Sequence, residues 1–213
     1  MYYPSMMNVD FGNLAEEIKN LEAAGVDGFH CDVMDGCFVP NMSMSLCDVR
    51  AVKKCASKPV DAHLMIMNPI DKVDWFIKAG CDIIYIHPES ERYVVRTLTK
   101  LKEAGVIAGL AINPDTPVET VMEMLYVTDR VLCMTVTPGW GGQKYLDFVT
   151  NKIKKLVELK NHFKFDLFMD GGATPGIIKD LEKIGVDGFV LGAGVLFGEN
   201  SNYKTAMDEL FSN

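Results

Sequence analysis

What is scarce in this chain narrows its function before any motif is read. Cations are outnumbered, with 21 Lys and Arg against 29 Asp and Glu and a net charge of −8. That balance argues against nucleic acid or an anionic membrane as the main partner. An anionic ligand must then be held by local backbone dipoles rather than by a basic face. No apolar run approaches the roughly 20 residues of a membrane span. Met1-Tyr2-Tyr3-Pro4 has neither the basic start nor the apolar run of a secretory signal. Six cysteines (31, 37, 47, 55, 81 and 133) form no C-x-x-C pair and no tight framework. They read as free thiols of a reducing compartment, and the expected location is cytoplasmic. No G-x-G-x-x-G follows the first strand, so an open dinucleotide-binding sheet is disfavoured.

What is present is a repeating unit. Apolar strands are expected at 2–7, 26–34, 59–66, 82–87, 106–112, 130–136, 165–169 and 186–191. Helical patterns fall between them, at 11–24, 45–56, 69–79, a stretch ending at 104, a short one opened by Pro117, then 145–161 and 175–184. The junctions echo one another: Ala24-Gly25-Val26-Asp27, Ala79-Gly80-Cys81-Asp82, Ala104-Gly105-Val106 and Ile184-Gly185-Val186-Asp187. Each is a helix end, a capping glycine and an apolar strand. Eight strands alternating with helices in 213 residues imply an α/β fold, a single (β/α)₈ TIM barrel spanning residues 1–213.

A barrel of this kind carries its site at the C-terminal ends of the strands. The second strand ends in His30-Cys31-Asp32-Val33-Met34-Asp35-Gly36. Alternation puts His30, Asp32 and Met34 on one face, and burying an imidazole and a carboxylate together is costly unless something binds there. His63 ends the third strand and Asp170 the seventh, while Ser5, His87, Asn113 and Met134 end others. Two imidazoles and two carboxylates (His30, His63, Asp32 and Asp170) suit one divalent cation of the Zn²⁺, Fe²⁺, Mn²⁺ or Co²⁺ type. Met34, Met65 and Met134, ordinary core fillers taken singly, would make a dry, polarizable wall around it. His162, between Lys160 and Lys164, reads as solvated surface.

A second constellation is rich in glycine. Gly139, Trp140, Gly141 and Gly142 precede a helix, and Gly171-Gly172 and Gly192-Ala193-Gly194 end the next two strands. Such turns let backbone N–H groups approach an anion, and the loops after strands seven and eight form the recurrent phosphate site of the fold.

These motifs, taken in order, resemble the ribulose-phosphate 3-epimerase family. The likeness is carried by Pro4-Ser5, His30-x-Asp32-x-Met34-Asp35-Gly36, Phe38-Val39-Pro40-Asn41 and His63-Leu64-Met65. It continues through Asn113-Pro114-x-Thr116-Pro117, Met134-Thr135-Val136-x-Pro138-Gly139-x-Gly141-Gly142-Gln143 and Asp170-Gly171-Gly172. The resemblance implies a metal held by His30, Asp32, His63 and Asp170, with Asp32 and Asp170 doubling as the acid/base pair. It implies Ser5 and His63 on the sugar. The phosphate would lie on Gly139, Trp140, Gly141, Gly142, Gly171, Gly172, Gly192, Ala193 and the start of the last helix. Where the family often has Gly-Ser this chain has Gly192-Ala193, which removes a hydroxyl but keeps the backbone donors. The implied reaction is inversion at C3 of a ketose phosphate by two-base proton transfer through an enediolate.

D-ribulose 5-phosphate, going to D-xylulose 5-phosphate in the pentose phosphate pathway, is the favoured substrate. Gly141-Gly142-Gln143 and Asp170-Gly171-Gly172 look more like that branch of the family. His87-Pro88-Glu89 and Lys58-Pro59-x-Asp61-x-His63 resemble the D-allulose 6-phosphate branch, where His87 and Glu89 would meet sugar hydroxyls. Related decarboxylases carry Asp-x-Lys-x-x-Asp where this chain reads His30-Cys31-Asp32-Val33-Met34-Asp35, so their lysine is missing. A non-catalytic phosphate-binding barrel is the alternative of another class. A homo-oligomer is expected, symmetric closure being the default for soluble enzymes.

Overall fold

Strands that must be covered on both faces read as near-continuous apolar runs, and here they lie side by side in parallel. The computed structural model describes residues 1–198 and 202–211. In chain order the elements are β1 (Tyr2–Pro4), α1 (Leu14–Ala24), β2 (Phe29–Asp35), β3 (Met42–Ser43), α2 (Leu46–Cys55), β4 (Val60–Met65) and α3 (Val73–Ala79). Then come β5 (Ile83–Ile86), α4 (Val94–Glu103), β6 (Ile107–Ile112), β7 (Arg130–Met134), α5 (Thr150–Phe163), β8 (Asp166–Asp170), α6 (Pro175–Ile184), β9 (Gly188–Leu191) and α7 (Tyr203–Phe211). The sheet runs β1-β9-β8-β7-β6-β5-β4-β2-β3. A parallel bridge between Ser5 and His30 joins its two ends, so the eight parallel strands close into a (β/α)₈ barrel. The helices α1, α3 and α6 each end on a glycine whose N–H returns to the last turn, as the echoing junctions predict.

Alternation along each strand divides the buried residues into two sets. Outward side chains such as Phe29, Cys31, Val33, Leu64, Ile84, Leu110, Val131 and Leu167 pack with the helices. Inward ones such as Tyr3, Tyr85, Leu132, Met134, Phe168 and Val190 fill the barrel. The interior is a packed core rather than a pore, and its largest rings need small neighbours. A Cβ on Gly109 would lie 2.3 Å from the Tyr85 ring, and one on Gly188 would lie 2.3 Å from the Phe168 ring. Glycine at those two points is what lets the rings lie across adjacent strands.

The structure departs from the sequence expectation at several boundaries. β1 stops at Pro4, and a 3₁₀ turn over Met6–Asn8 replaces the expected end of that strand. The two-residue β3 was not expected; it folds back on β2 after Gly36 donates to the Asn41 carbonyl at 3.0 Å. The segment after Pro117 forms 3₁₀ turns over Val118–Val127 rather than an α-helix. Its β-branched Val118, Thr120, Val121 and Val127 lower the preference for α-helix. Among the described residues no helix is long and apolar enough to cross a membrane.

Candidate active site

Strand register builds the site in tiers. On β2 the inward residues are His30, Asp32 and Met34, and their partners on β4 are Asp61, His63 and Met65. A carboxylate and an imidazole are thus level on neighbouring strands, with a methionine pair above them. Asp170 arrives from β8, whose last residue pairs with Met134 of β7. Ser5 arrives at the seam where the barrel closes.

His30, Asp32, His63 and Asp170 each present one donor atom, and the four atoms lie within 4.8 Å of one another. Asp32 Oδ1 is 3.2 Å from both His30 Nε2 and His63 Nδ1. Asp170 Oδ2 is 3.8 Å from His30 Nε2 and 3.7 Å from His63 Nδ1. Four donors at 2.0–2.2 Å from a common ion, arranged tetrahedrally, would be about 3.3–3.6 Å apart. The observed separations bracket that range, and a set of two nitrogens and two oxygens is chemistry a divalent cation accepts. The residues present therefore fit the metal that the motif resemblance implies.

The two carboxyl groups are electrostatically unlike. Burial opposes ionisation of Asp32, but the imidazoles of His30 and His63 outweigh it and hold the group well below the usual carboxylate range. Ser5 Oγ donates to its other oxygen, Oδ2, at 2.6 Å. Burial and then the Asp32 charge push Asp170 up to about 7. Burial also works against charging His30, yet Asp61 and Asp32 raise it well above its ordinary value. Burial holds His63 below its own. One acid is held ionised while its neighbour gains or loses its proton near neutrality, the division of labour that acid/base chemistry requires.

A cavity of about 570 Å³ opens above this cluster. Asp32, Asp170, Ser5 and the methionines Met34, Met65 and Met134 line it, as do Gly139, Trp140, Gly141, Gly142, Gly171, Gly172, Gly192 and Ala193. Every residue assigned to substrate from the sequence except His63 therefore faces one space; His63 lies buried behind its wall. Among the described lining residues none belongs to α7, which starts at Tyr203; Gly192, Ala193 and Gly194 begin a turn there instead. Lys144 is the one cation among the described lining residues, which the glycine-centred reading overlooked.

Comparison with known proteins gives the family and the fold. The model of the "Ribulose-phosphate 3 epimerase family" matches residues 2–196. The chain belongs to that family. It is 40% identical over 210 residues to a ribulose-phosphate 3-epimerase of Bacillus subtilis, covering 97% of this chain and 96% of that protein. It is also 40% identical over 196 residues to the enzyme of Rhodobacter capsulatus, covering 92% and 85%. Among solved structures, KGPDC from Streptococcus mutans superposes with a TM-score of 0.75 at 14% identity, over 99% of this chain and 95% of that one. At that identity the likeness speaks for the barrel alone. Family and donor set together fit a divalent metal.

Several residues quoted above only as parts of motifs were given no role there, and the structure shows what they touch. Thr135 donates its N–H and its hydroxyl to the Asp170 carbonyl, both at 2.8 Å, and its hydroxyl also reaches the Gly171 carbonyl. Asn41, on the loop after β2, donates to the Gly139 carbonyl at 2.7 Å and ties two rims of the cavity together. Asp61 Oδ1 lies 2.7 Å from His30 Nδ1, behind the ligand-type face of that ring. Alternation puts Asp61 on the same face as His63 two residues later, so this one was within reach of the sequence. His87 is buried, and burial pushes it down to about 4. It is not among the residues that line the cavity, where the sequence reading had considered it as a sugar contact. His162 is exposed, as expected.

Proposed function

We propose that this isomerase interconverts D-ribulose 5-phosphate and D-xylulose 5-phosphate, with Asp32 and Asp170 as the acid/base pair. The observation that carries the reading is the pairing of two oppositely poised carboxyl groups, Asp32 buried and Asp170 half-buried, with two imidazoles on the floor of a glycine-rimmed cavity. Both curated relatives described above are ribulose-phosphate 3-epimerases, which favours the five-carbon substrate over D-allulose 6-phosphate and disfavours a non-catalytic barrel.

His30, Asp32, His63 and Asp170 would hold one divalent cation of the Zn²⁺, Fe²⁺, Mn²⁺ or Co²⁺ type. When bound, the cation supplies Lewis-acid polarisation of the substrate oxygens at C2 and C3. Asp32, ionised, removes the C3 proton from one face and leaves a planar enediolate. Asp170, protonated, delivers its proton to the other face, so configuration inverts. The proton inventory then sits on Asp32, and that form of the enzyme accepts the opposite epimer. Met34, Met65 and Met134 exclude water around the developing charge. Backbone N–H groups of Gly139, Gly141, Gly142, Gly171, Gly172, Gly192 and Ala193 would cradle the phosphate, with Trp140 and Lys144 at the rim. The homo-oligomer and the cytoplasmic location belong to the same proposal and rest on the sequence arguments alone.

The test is kcat/KM for D-ribulose 5-phosphate against D-allulose 6-phosphate, measured on protein reconstituted with each candidate cation. The five-carbon sugar phosphate is expected to be preferred. Inversion of neither compound with any of the four ions would sink the reading.

A further inference from the structure

A metal-binding imidazole coordinates through one nitrogen, and whatever the other nitrogen touches decides which tautomer it adopts. For His63 the nitrogen facing the carboxylates is Nδ1. Its Nε2 points away from the cavity and lies 2.8 Å from Nε2 of His87. Two ring nitrogens at that distance share one proton. If His63 Nδ1 keeps its lone pair for a cation, Nε2 carries the hydrogen and His87 Nε2 must accept it. His87 must then carry its own hydrogen on Nδ1.

The surroundings of His87 meet that demand. Its Nδ1 lies 3.5 Å from Glu89 Oε2, on the side opposite His63. The Asn113 side chain also acts on this ring, and its buried Oδ1, like His87 Nδ1, has no formed hydrogen bond. Glu89 therefore stands near a buried nitrogen that needs an acceptor, and Asn113 acts on the same ring. Glu89 is itself fixed by the Thr116 hydroxyl. The Phe38 ring packs on the His87 ring with centroids 4.9 Å apart, and the His63 and His87 rings are 28° from coplanar. Neither His87 nor Glu89 is among the residues that line the cavity.

The geometry points to His87 as a positioning residue. With Glu89 behind it, His87 holds His63 in the Nε2–H tautomer and aims its Nδ1 at the cation. This rests on the metal reading above. The chain Glu89–His87–His63 would raise the basicity of the ligand and hold its ring plane, which is what outer partners of metal-bound histidines do.

The experiment uses the full chain, stripped of metal and titrated with Co²⁺ alone, with visible absorption reporting the ligand field. His87→Phe keeps the ring packing on Phe38 and removes the acceptor. It is expected to weaken Co²⁺ binding by about 10–100-fold and to alter the absorption bands. His87→Gln, whose amide oxygen accepts and whose amide nitrogen donates, is expected to recover most of the affinity. Independently of any variant, ¹⁵N-histidine spectra of the wild-type protein loaded with Zn²⁺ are expected to show His87 with its proton on Nδ1. A His87 proton on Nε2 overturns the proposal, as does wild-type Co²⁺ affinity with unchanged bands in a folded His87→Phe. A wild-type protein that takes up no Co²⁺ overturns the metal centre together with this inference. A protein that binds Co²⁺ as described but inverts no sugar phosphate leaves the positioning role standing and removes the epimerase reading instead.

Discussion

Ser5 donates its hydroxyl to Asp32 Oδ2 at 2.6 Å across the seam where the barrel closes. The contact is buried, and Ser5 is held there by its own N–H on the Leu191 carbonyl at 2.9 Å. A hydrogen bond to a buried charge is worth about 1.5–3 kcal/mol. If that bond fixes the Asp32 carboxylate in line with the C3 proton, Ser5→Ala should lower kcat by roughly 10–100-fold. Steady-state kinetics at saturating substrate checks this. Unchanged kcat with a raised KM would show that Ser5 binds sugar rather than tuning Asp32.

The two acids divide their work by face, which makes their variants distinguishable. Asp32→Asn and Asp170→Asn should each lower inversion by about 10²–10⁴-fold. In D₂O the Asp170→Asn variant should still wash deuterium into C3 of one epimer without inverting it, because Asp32 can take and return a proton on its own face. NMR of the recovered sugar phosphate reads both quantities. Loss of exchange and inversion together in both variants would argue against separate faces.

Metal removal should act on folding as well as turnover. A buried carboxylate from β2 and a half-buried one from β8 converge on the cluster, and a cation that binds only the folded chain stabilises it by mass action. At free metal 100-fold above its dissociation constant the gain is about 2.7 kcal/mol. Chelation should therefore abolish activity and lower the melting temperature, and adding back the ion should restore both. Equal melting temperatures with and without Zn²⁺, Mn²⁺, Fe²⁺ and Co²⁺ would rule out this centre.

Much of this site was legible because strands have a period of two. Once His30 was placed inward, Asp32 and Met34 had to follow, while Phe29, Cys31 and Val33 face the helices. What the pattern could not reach are contacts set by the tilt of one strand against the next or by loops far apart in sequence. His63 and His87 are separated by 24 residues and Asn41 and Gly139 by 98. No local pattern encodes either meeting. Pro117 predicts a short helix where the structure has a 3₁₀ run over Val118–Val127, and its buried Val118, Val121 and Leu125 keep a spacing that an α-helix would share. Spacing alone does not separate the two helix types over so short a stretch.

The turn beneath the proposed phosphate loop is the most exacting piece of backbone in the site. Gly171 has φ +112°, and a Cβ there would lie 2.3 Å from Val136; at Gly172, with φ +66°, a Cβ would lie 2.3 Å from the Tyr145 nitrogen. Gly171→Ala combines backbone strain of about 1–2 kcal/mol with overpacking of about 1–3 kcal/mol. A loss of roughly 2–5 kcal/mol is expected in denaturant unfolding. Wild-type stability would mean that Val136 yields and that the turn is not held as tightly as the contact implies.

Asp35 offers a pH test that lies outside the ligand cluster. Its Oδ1 accepts from the N–H groups of Cys37 and Phe38 at 2.9 and 3.0 Å, and its Oδ2 accepts from Met67 at 2.9 Å. Burial works against its charge, but the bonds from Phe38, Met67 and Cys37 prevail and lower its pKa. A carboxyl whose folded value is depressed contributes stability that is fully present above its unfolded value. That contribution is lost as pH falls through the folded value. The window therefore begins near the ordinary value of 3.8 and extends below it. Asp35→Asn should be less stable at pH 7 by about 1 kcal/mol, a modest figure because the group is partly exposed and screened. The gap between variant and wild type should close as the pH is taken below the ordinary value. Urea midpoints measured across that range decide it, since a gap independent of pH would assign the loss to packing of the loop rather than to the charge.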